Sequence, residues 1–558
     1  MPQNWIYISK FLSFKEKIIF SFLIFIIIGG FISWGTIAYF SLTKPVAKQG
    51  GSYTEGIIGQ PLYVNPLLSQ SSETDADLTR VIYSGLLKLN GNGNLIGDLA
   101  KSWDISSDQK TYTLHLKENA VWHDGEKLNA DDVFFTISIL RDPAYKSPLR
   151  YNWQGVAIKQ IDDHTLAFEL KKSYFGFLNN LTVGILPKHI WENVAPEKFA
   201  LADYNLEPVG SGPYKFYDFQ KDSSGNILSY ELRSFENYFS NRPYISKITF
   251  NFYPNEDSAI EAYNKKEILG ISGISPEKIS RLKTAGSAAI YEIAIPRYFS
   301  VFFNQNKSVA LADSEVRKAL VCAVNRQEII EKVLSGKGVN INSPFLPQMK
   351  EYAGDIERCD SDIEEANKIL EEAGWKLSEN GIREKDGTKL EFRIFTTDWP
   401  ELAQTADILK SQWKEIGASA EVNVLTISDL QQNYIRPREY DALLFGQATS
   451  LNPDPCPFWC SSQKRDPGLN LSFFGDDEVD KILEEAREIS DENERIEKYR
   501  RFQEIIKNKN PAAFLYSPLY LYSVNRQVKG LELKSLNAPS QRFSEINKWY
   551  VKTKRVRK

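Results

Sequence analysis

Histidine is scarce in this chain. Its four examples among 558 residues are His115, His123, His164 and His189, and their spacing suits neither a shared metal ion nor a nucleophile–base pair. Cysteine is equally rare. Four residues can neither staple a disulfide-dense scaffold nor supply the closely paired ligands of a zinc module. Cys456 and Cys460, flanked by Pro455 and Pro457, leave two states open, a local disulfide or two free thiols. Cys322 lies in an apolar helical pattern and reads as a small core residue. Excess charge is also missing: a formal net charge of −4 gives no electrostatic case for nucleic acid. Basic residues crowd only the last stretch, Lys552, Lys554, Arg555, Arg557 and Lys558, which reads as a solvated tail. No glycine-rich phosphate loop precedes a helix; Gly91-Asn92-Gly93 is a hairpin-turn signal instead. No repeat of domain-building period occurs, so solenoids and propellers drop out. These absences argue against an enzyme and against a bound metal or cofactor.

What the chain does have is a charge-free apolar run from Ile18 to Phe40. As a helix at about 1.5 Å per residue it would span roughly 34 Å, enough to cross the hydrocarbon core. A cleaved secretory signal usually carries only about 7–15 apolar residues. Lys10, Lys15 and Lys17 precede the run, while Lys44 and Lys48 follow it, which favours an N-terminus inside. The first cysteine is Cys322, so no lipidation site follows the run. The expectation is a cytoplasmic tail at 1–17, a transmembrane signal anchor at 18–40, a tether without periodic pattern at 41–51, and a large domain on the extracytoplasmic side.

That remainder is long enough for about three or four domain-sized units. Strand-like and helix-like segments alternate through it, which argues for α/β architecture. Thr111–Leu116 alternates as a half-buried strand, and Lys389–Phe395 and Ala420–Leu425 also read as strands. Ala130–Leu140 opens with Asp131 and Asp132, as a helix N-terminus should. Ser314–Leu334, Ser361–Ala373, Leu402–Ile416 and Asp476–Ile506 read as further helices.

Several blocks then resemble the extracellular solute-binding proteins of peptide-type ABC importers, the dipeptide, oligopeptide and nickel-binding group known as family 5. They are "LAKSWDISSDQKTYTLHLKENAVWHDGEKLNADDVFFT" from Leu99 to Thr136, "ILPKHIWENV" from Ile185, "PVGSGPYKF" from Pro208 and "NYFSNRPYISKITF" from Asn237. "FFNQNKSVALADSEVRKALVCAVNRQEII" from Phe302, "EANKILEEAGW" from Glu365 and "NPDPCPFW" from Asn452 complete the set, in the family's order and over roughly residues 50–550. Most of these residues have a plain structural reading. Trp122, Asp124 and Gly125 form a turn that caps the next helix, Gly210, Gly212 and Pro213 a tight bend, and Asp313 and Ser314 a cap for the helix containing Arg317 and Arg326.

The resemblance implies a two-lobed periplasmic-binding-protein type II fold with an extra subdomain, behind one N-terminal transmembrane helix. Mapped onto this chain, 52–85, 206–298 and 522–558 form lobe one, 86–205 its extra subdomain and 299–521 lobe two. A ligand contacting both lobes stabilises the closed form. The cleft residues it implies are Tyr298, Phe302 and Asn304 at the crossover, Trp399 after "IFTTD", and Gln447, Thr449, Ser450 and Asn452 in "FGQATSLNPDP". Glu55, expected just after the first strand, joins them as a carboxylate for a cationic group, with a solvated loop as the competing reading.

The same loop departs from the family. Peptide binders carry an aspartate there that pairs with a free amino terminus, and Ser450 stands in its place. Losing such a charged hydrogen bond costs about 1.5–3 kcal/mol. A blocked peptide, a glycopeptide, a sugar or another polar solute thereby gains ground. The expected activity is that of a monomeric, membrane-tethered importer component that hands its solute to an ABC permease. The alternative is a cell-envelope sensor reusing the fold.

Overall fold

The computed structural model describes residues 13–283, 286–356 and 359–558, so most of the tail expected at 1–17 lies outside the described residues. Phe14–Leu42 is one helix of 29 residues, opened by a capping box between Ser13 and Glu16. None of its residues is buried, and its apolar side chains point outward on every side. It is long and apolar enough to cross a membrane. Directly after it, Thr43–Lys48 is a strand paired antiparallel with Lys552–Arg557. The pairing corrects two expectations at once: the tether has regular structure over these residues, and the basic C-terminal stretch is a strand rather than a free tail.

The two lobes share one twelve-stranded sheet. Its lobe-two half runs Ser419–Leu425, Glu391–Thr397, Ala442–Ala448 and Arg297–Phe303, and its lobe-one half runs Gly270–Ser272, Ser52–Ile58, Lys247–Tyr253, Ile227–Ser234 and Tyr214–Lys221. The 14-residue strand Ala512–Asn525 lies between the halves and bonds to both. A second crossing joins Ala288–Ala294 to Arg297–Phe303 through Ile295 and Pro296. A separate four-stranded sheet, containing Thr111–Leu116 in register with Thr165–Leu170, forms the subdomain. Each lobe has its own buried apolar core, so the lobes can move as units about the two crossings.

Two expected helices are each broken in two. Ser314–Cys322 is capped by Asp313, and a fresh cap, Asn325, starts Arg326–Leu334. Asp477–Glu488 likewise ends before Asp491 caps Glu492–Lys509. The apolar period continues across each break, but an Asn or Asp side chain that bonds backbone N–H groups favours restarting the helix. Ahead of the Ala130–Arg141 helix the cap is Asn129 with Asp132, and the Trp122 indole donates to that Asp132 carboxylate at 3.4 Å. Cys322 is not merely a core residue, since it is disulfide-bonded to Cys359, and Cys456 is bonded to Cys460.

Candidate functional site

The hinge organises the cleft. Thr449 N–H donates to Pro296 O at 2.7 Å, which ties the loop after Ala442–Ala448 to the first crossing. The next residues reach the other lobe: Leu451 N–H donates to Asn537 Oδ1 at 2.6 Å. Further out, Phe175 N–H of the subdomain donates to Arg487 O at 3.3 Å, and the Arg495 guanidinium lies 4.2 Å from the Phe175 ring centre. The lobes therefore touch at both places.

Several residues expected in the cleft lie beneath it. Tyr298 and Gln447 face each other across adjacent strands, and the buried Tyr298 O–H donates to Gln447 Oε1 at 2.5 Å. Gln447 Nε2 then donates to Leu469 O at 3.1 Å. Phe302 is buried beside Trp459, and buried Asn304 donates through Nδ2 to Arg438 O at 3.1 Å. These four side chains hold up the cleft loop from inside lobe two. Ser450 Oγ donates to Asn452 O at 2.5 Å, Asn452 is exposed, and Trp399 is 49% exposed beside the Pro400–Glu415 helix.

Glu55 differs most from its expected place. It lies within Ser52–Ile58 rather than after it, fully buried, and its Oε1 accepts from Arg542 Nη2 at 3.2 Å. Arg542 also grips Asp77, donating through Nη1 to Oδ1 at 2.8 Å and through Nη2 to Oδ2 at 2.5 Å. Tyr53 and Tyr522 O–H groups complete the shell around Glu55. Loss of water pushes both carboxyls above their ordinary range, Asp77 to about 7, against the attraction of Arg542. This carboxylate already has its cation.

The opposite situation holds one helix turn away. Glu73–Ile82 is capped by Ser72 and carries Arg80 in its last turn, where the helix dipole favours a cation. Its C-terminal end is fixed by Gly210 and Gly212, where a Cβ would lie only 2.1 Å and 2.7 Å from Ile82 O. Arg80 lines a cavity of about 320 Å³ with Tyr83, Asn152, Asn179, Thr182 and Ser540. Among the described residues, Arg80 Nε, Tyr83 O–H, Thr79 Oγ1 and Asn179 Oδ1 are all buried without a hydrogen-bond partner. The acid whose charge acts on Arg80, Asp98, is itself paired with Lys88 at 3.3 Å. A buried cation beside the unpartnered Thr79 and Tyr83 hydroxyls can receive an anionic, oxygen-rich group, while Asn179 Oδ1 would accept from a donor on the same solute. Its wall comes from lobe one and the subdomain, and Ala538 on it directly follows Asn537, the residue that touches the cleft loop. A larger cavity of about 620 Å³ lies wholly in lobe two, and its Arg326 is already paired with Asp360.

The profile of the bacterial extracellular solute-binding proteins, family 5, matches residues 94–468. The chain belongs to this family. Its members bind substrates and are not catalytic. Bacillus subtilis oligopeptide-binding protein AppA is 28% identical over 520 residues, which cover 92% of this chain and 93% of that protein. The structure of the ABC transporter substrate-binding protein CtaP of Listeria monocytogenes matches with a TM-score of 0.78 at 28% identity, covering 90% of this chain and 99% of that one. NikZ of Campylobacter jejuni, in complex with Ni(L-His), matches with a TM-score of 0.74 at 26% identity, covering 89% and 99%.

In this family 5 protein Asp454, four residues after Ser450, is already engaged. Its Oδ2 is 2.9 Å from Arg487 Nη2, and its Oδ1 accepts from Cys456 N–H at 3.2 Å. No three His, Cys, Asp or Glu side chains among the described residues converge as metal ligands. His123 is held neutral: Nδ1 accepts from Gly210 N–H at 3.1 Å, and Nε2–H donates to Gly212 O at 3.0 Å. Burial lowers its pKa to about 4. Below about 6.5 the unfolded chain takes up a proton that the folded one refuses, so stability falls as pH drops from there toward about 4, by up to about 3 kcal/mol. His123→Gln should lose this slope in thermal midpoints measured across that range. A slope unchanged from the wild type would assign the pH dependence elsewhere.

The signals for Arg80 and Arg542 were present in the sequence only as ordinary cations on patterned segments. Nothing local distinguished the paired one from the unpaired one.

Proposed function

We propose that this chain is the membrane-tethered substrate-binding component of an ABC importer, and that its solute carries an acidic group received by Arg80. The observation that carries the reading is the contrast in charge. Glu55 and Asp454 both already face arginines, whereas Arg80 lines a cavity, forms no ion pair among the described residues and has its Nε buried without a hydrogen-bond partner. The ligand class is therefore a peptide or related polar solute held by its acidic end rather than by a free amino terminus. Relatives named for oligopeptides, and one solved with a nickel–histidine complex, fit a solute of amino-acid type. Closure about Pro296 and the long shared strand would then present the loaded form to a permease. The Phe14–Leu42 helix would hold the domain on the extracytoplasmic face of the cell membrane.

Native mass spectrometry of the full chain released from detergent tests this directly. The expected result is retained small solutes bearing a carboxylate or phosphate. Retained solutes that are all cationic or neutral, or no binding of an acidic peptide library by tryptophan fluorescence, would overturn the assignment to Arg80.

A further inference from the structure

The two ends of the chain meet where the N-terminal helix stops. Thr43–Lys48 and Lys552–Arg557 run antiparallel in register from Thr43↔Arg557 to Lys48↔Lys552, as a two-stranded ribbon separate from the main sheet. Lys558 N–H donates to Leu42 O at 2.9 Å, and Arg555 donates to Phe40 O at 3.2 Å and to Thr43 O at 2.8 Å. The Arg555 guanidinium also lies 4.4 Å from the Phe40 ring centre. The ribbon is thus fastened to the last turn of the apolar helix, beside Tyr39, a residue type enriched at headgroup level.

These contacts account for Arg555 but not for the other cations of the ribbon. Lys44 and Lys48 on one strand, and Lys552, Lys554, Arg555 and Arg557 on the other, have no Asp or Glu between 43 and 54 or between 546 and 558 to balance them, since the first carboxylate on that side is the buried Glu55. None forms an ion pair among the described residues. Lys48 stands directly opposite Lys552, a like-charge pairing that weakens a ribbon already marginal by itself. An acidic surface laid across the ribbon removes that repulsion. The C-terminal cations follow some five hundred residues of chain, so they do not oppose the orientation set by charges near the helix.

We propose that this ribbon lies on the membrane surface and binds the headgroups of acidic phospholipids, fixing the orientation of the binding domain over the bilayer. The inference rests on reading the N-terminal helix as a membrane anchor. The full chain, reconstituted into vesicles of phosphatidylcholine with or without phosphatidylglycerol, would be treated with a water-soluble lysine acylating reagent and quantified peptide by peptide. In acidic vesicles Lys48, Lys552 and Lys554 should be acylated about fivefold more slowly, the factor matching about 1 kcal/mol per basic residue near such a surface. Lys368 and Lys481, exposed in lobe two, should be unchanged, and high salt should abolish the protection. Equal acylation in both lipids, with the chain retained through an alkaline wash, would overturn the ribbon proposal alone. A chain washed out of both vesicle types would remove the anchor reading and the ribbon's placement with it. Protection by soluble polyphosphate but not by vesicles would overturn the lipid assignment in favour of a free polyanion.

Discussion

Arg80→Gln is expected to weaken solute binding by about 10- to 100-fold while leaving the empty protein as stable as the wild type or slightly more so. The first effect follows from losing a charge-assisted contact to an acidic group, worth about 1.5–3 kcal/mol. The second follows from the state of the empty site. The guanidinium is desolvated, its Nε is buried without a partner, and no carboxylate pairs with it among the described residues. Removing a charge that the fold does not neutralise relieves a cost, of about 1 kcal/mol in a partly wet cavity. Glutamine keeps much of the length and remains able to donate. Isothermal titration with the co-purified solute and thermal midpoints of the empty protein read the two effects separately. Lower stability with unchanged affinity would make Arg80 a structural residue and remove the proposed receptor.

Arg542→Met should do the reverse and destabilise the fold by about 3–5 kcal/mol, the range for breaking a buried ion pair from one side. Methionine fills the space beside Phe543 and Tyr522 but leaves Glu55 and Asp77 without their shared cation. The sign of the pH dependence is a second mark. Between the ordinary carboxylate range and about 7, folded Asp77 holds a proton that the unfolded chain has released, so its contribution falls as pH rises. Without Arg542 that window extends upward, and the deficit against the wild type should be smallest at mildly acidic pH and grow above about 7. Chemical denaturation at several pH values checks this, and Glu55→Gln with Asp77→Asn in the same variant should recover much of the loss. A deficit independent of pH would mean that lost packing, not uncompensated charge, is responsible.

The legible part of this molecule was the part written in local patterns. The alternating Thr111–Leu116 strand, the Asp131–Asp132 helix start and the order of the family blocks gave the α/β class and the two-lobed fold. The continuous apolar circumference of Ile18–Phe40 gave a membrane-length helix. Local pattern also misled. The periodicity of Ser314–Leu334 and Asp476–Ile506 runs through breaks that only Asn325 and Asp491 mark, and each is a single capping side chain. The expected cleft residues were found by position in the family blocks, which record backbone location. Whether a side chain then points into the cleft or under it depends on its strand register, and Tyr298 and Gln447 point under it.

The sequence alone therefore determined the class of fold, the family and the apolar helix, because each depends on residue type and short-range spacing. Tertiary structure decided the charge partners. Arg542 meets Asp77 from 465 residues away, Lys552 meets Lys48 across almost the whole chain, and Arg80 forms no ion pair among the described residues while its Nε stays without a hydrogen-bond partner. An ion's partner is set by which distant segments the core brings within a few ångströms. A one-dimensional pattern carries no record of that distance.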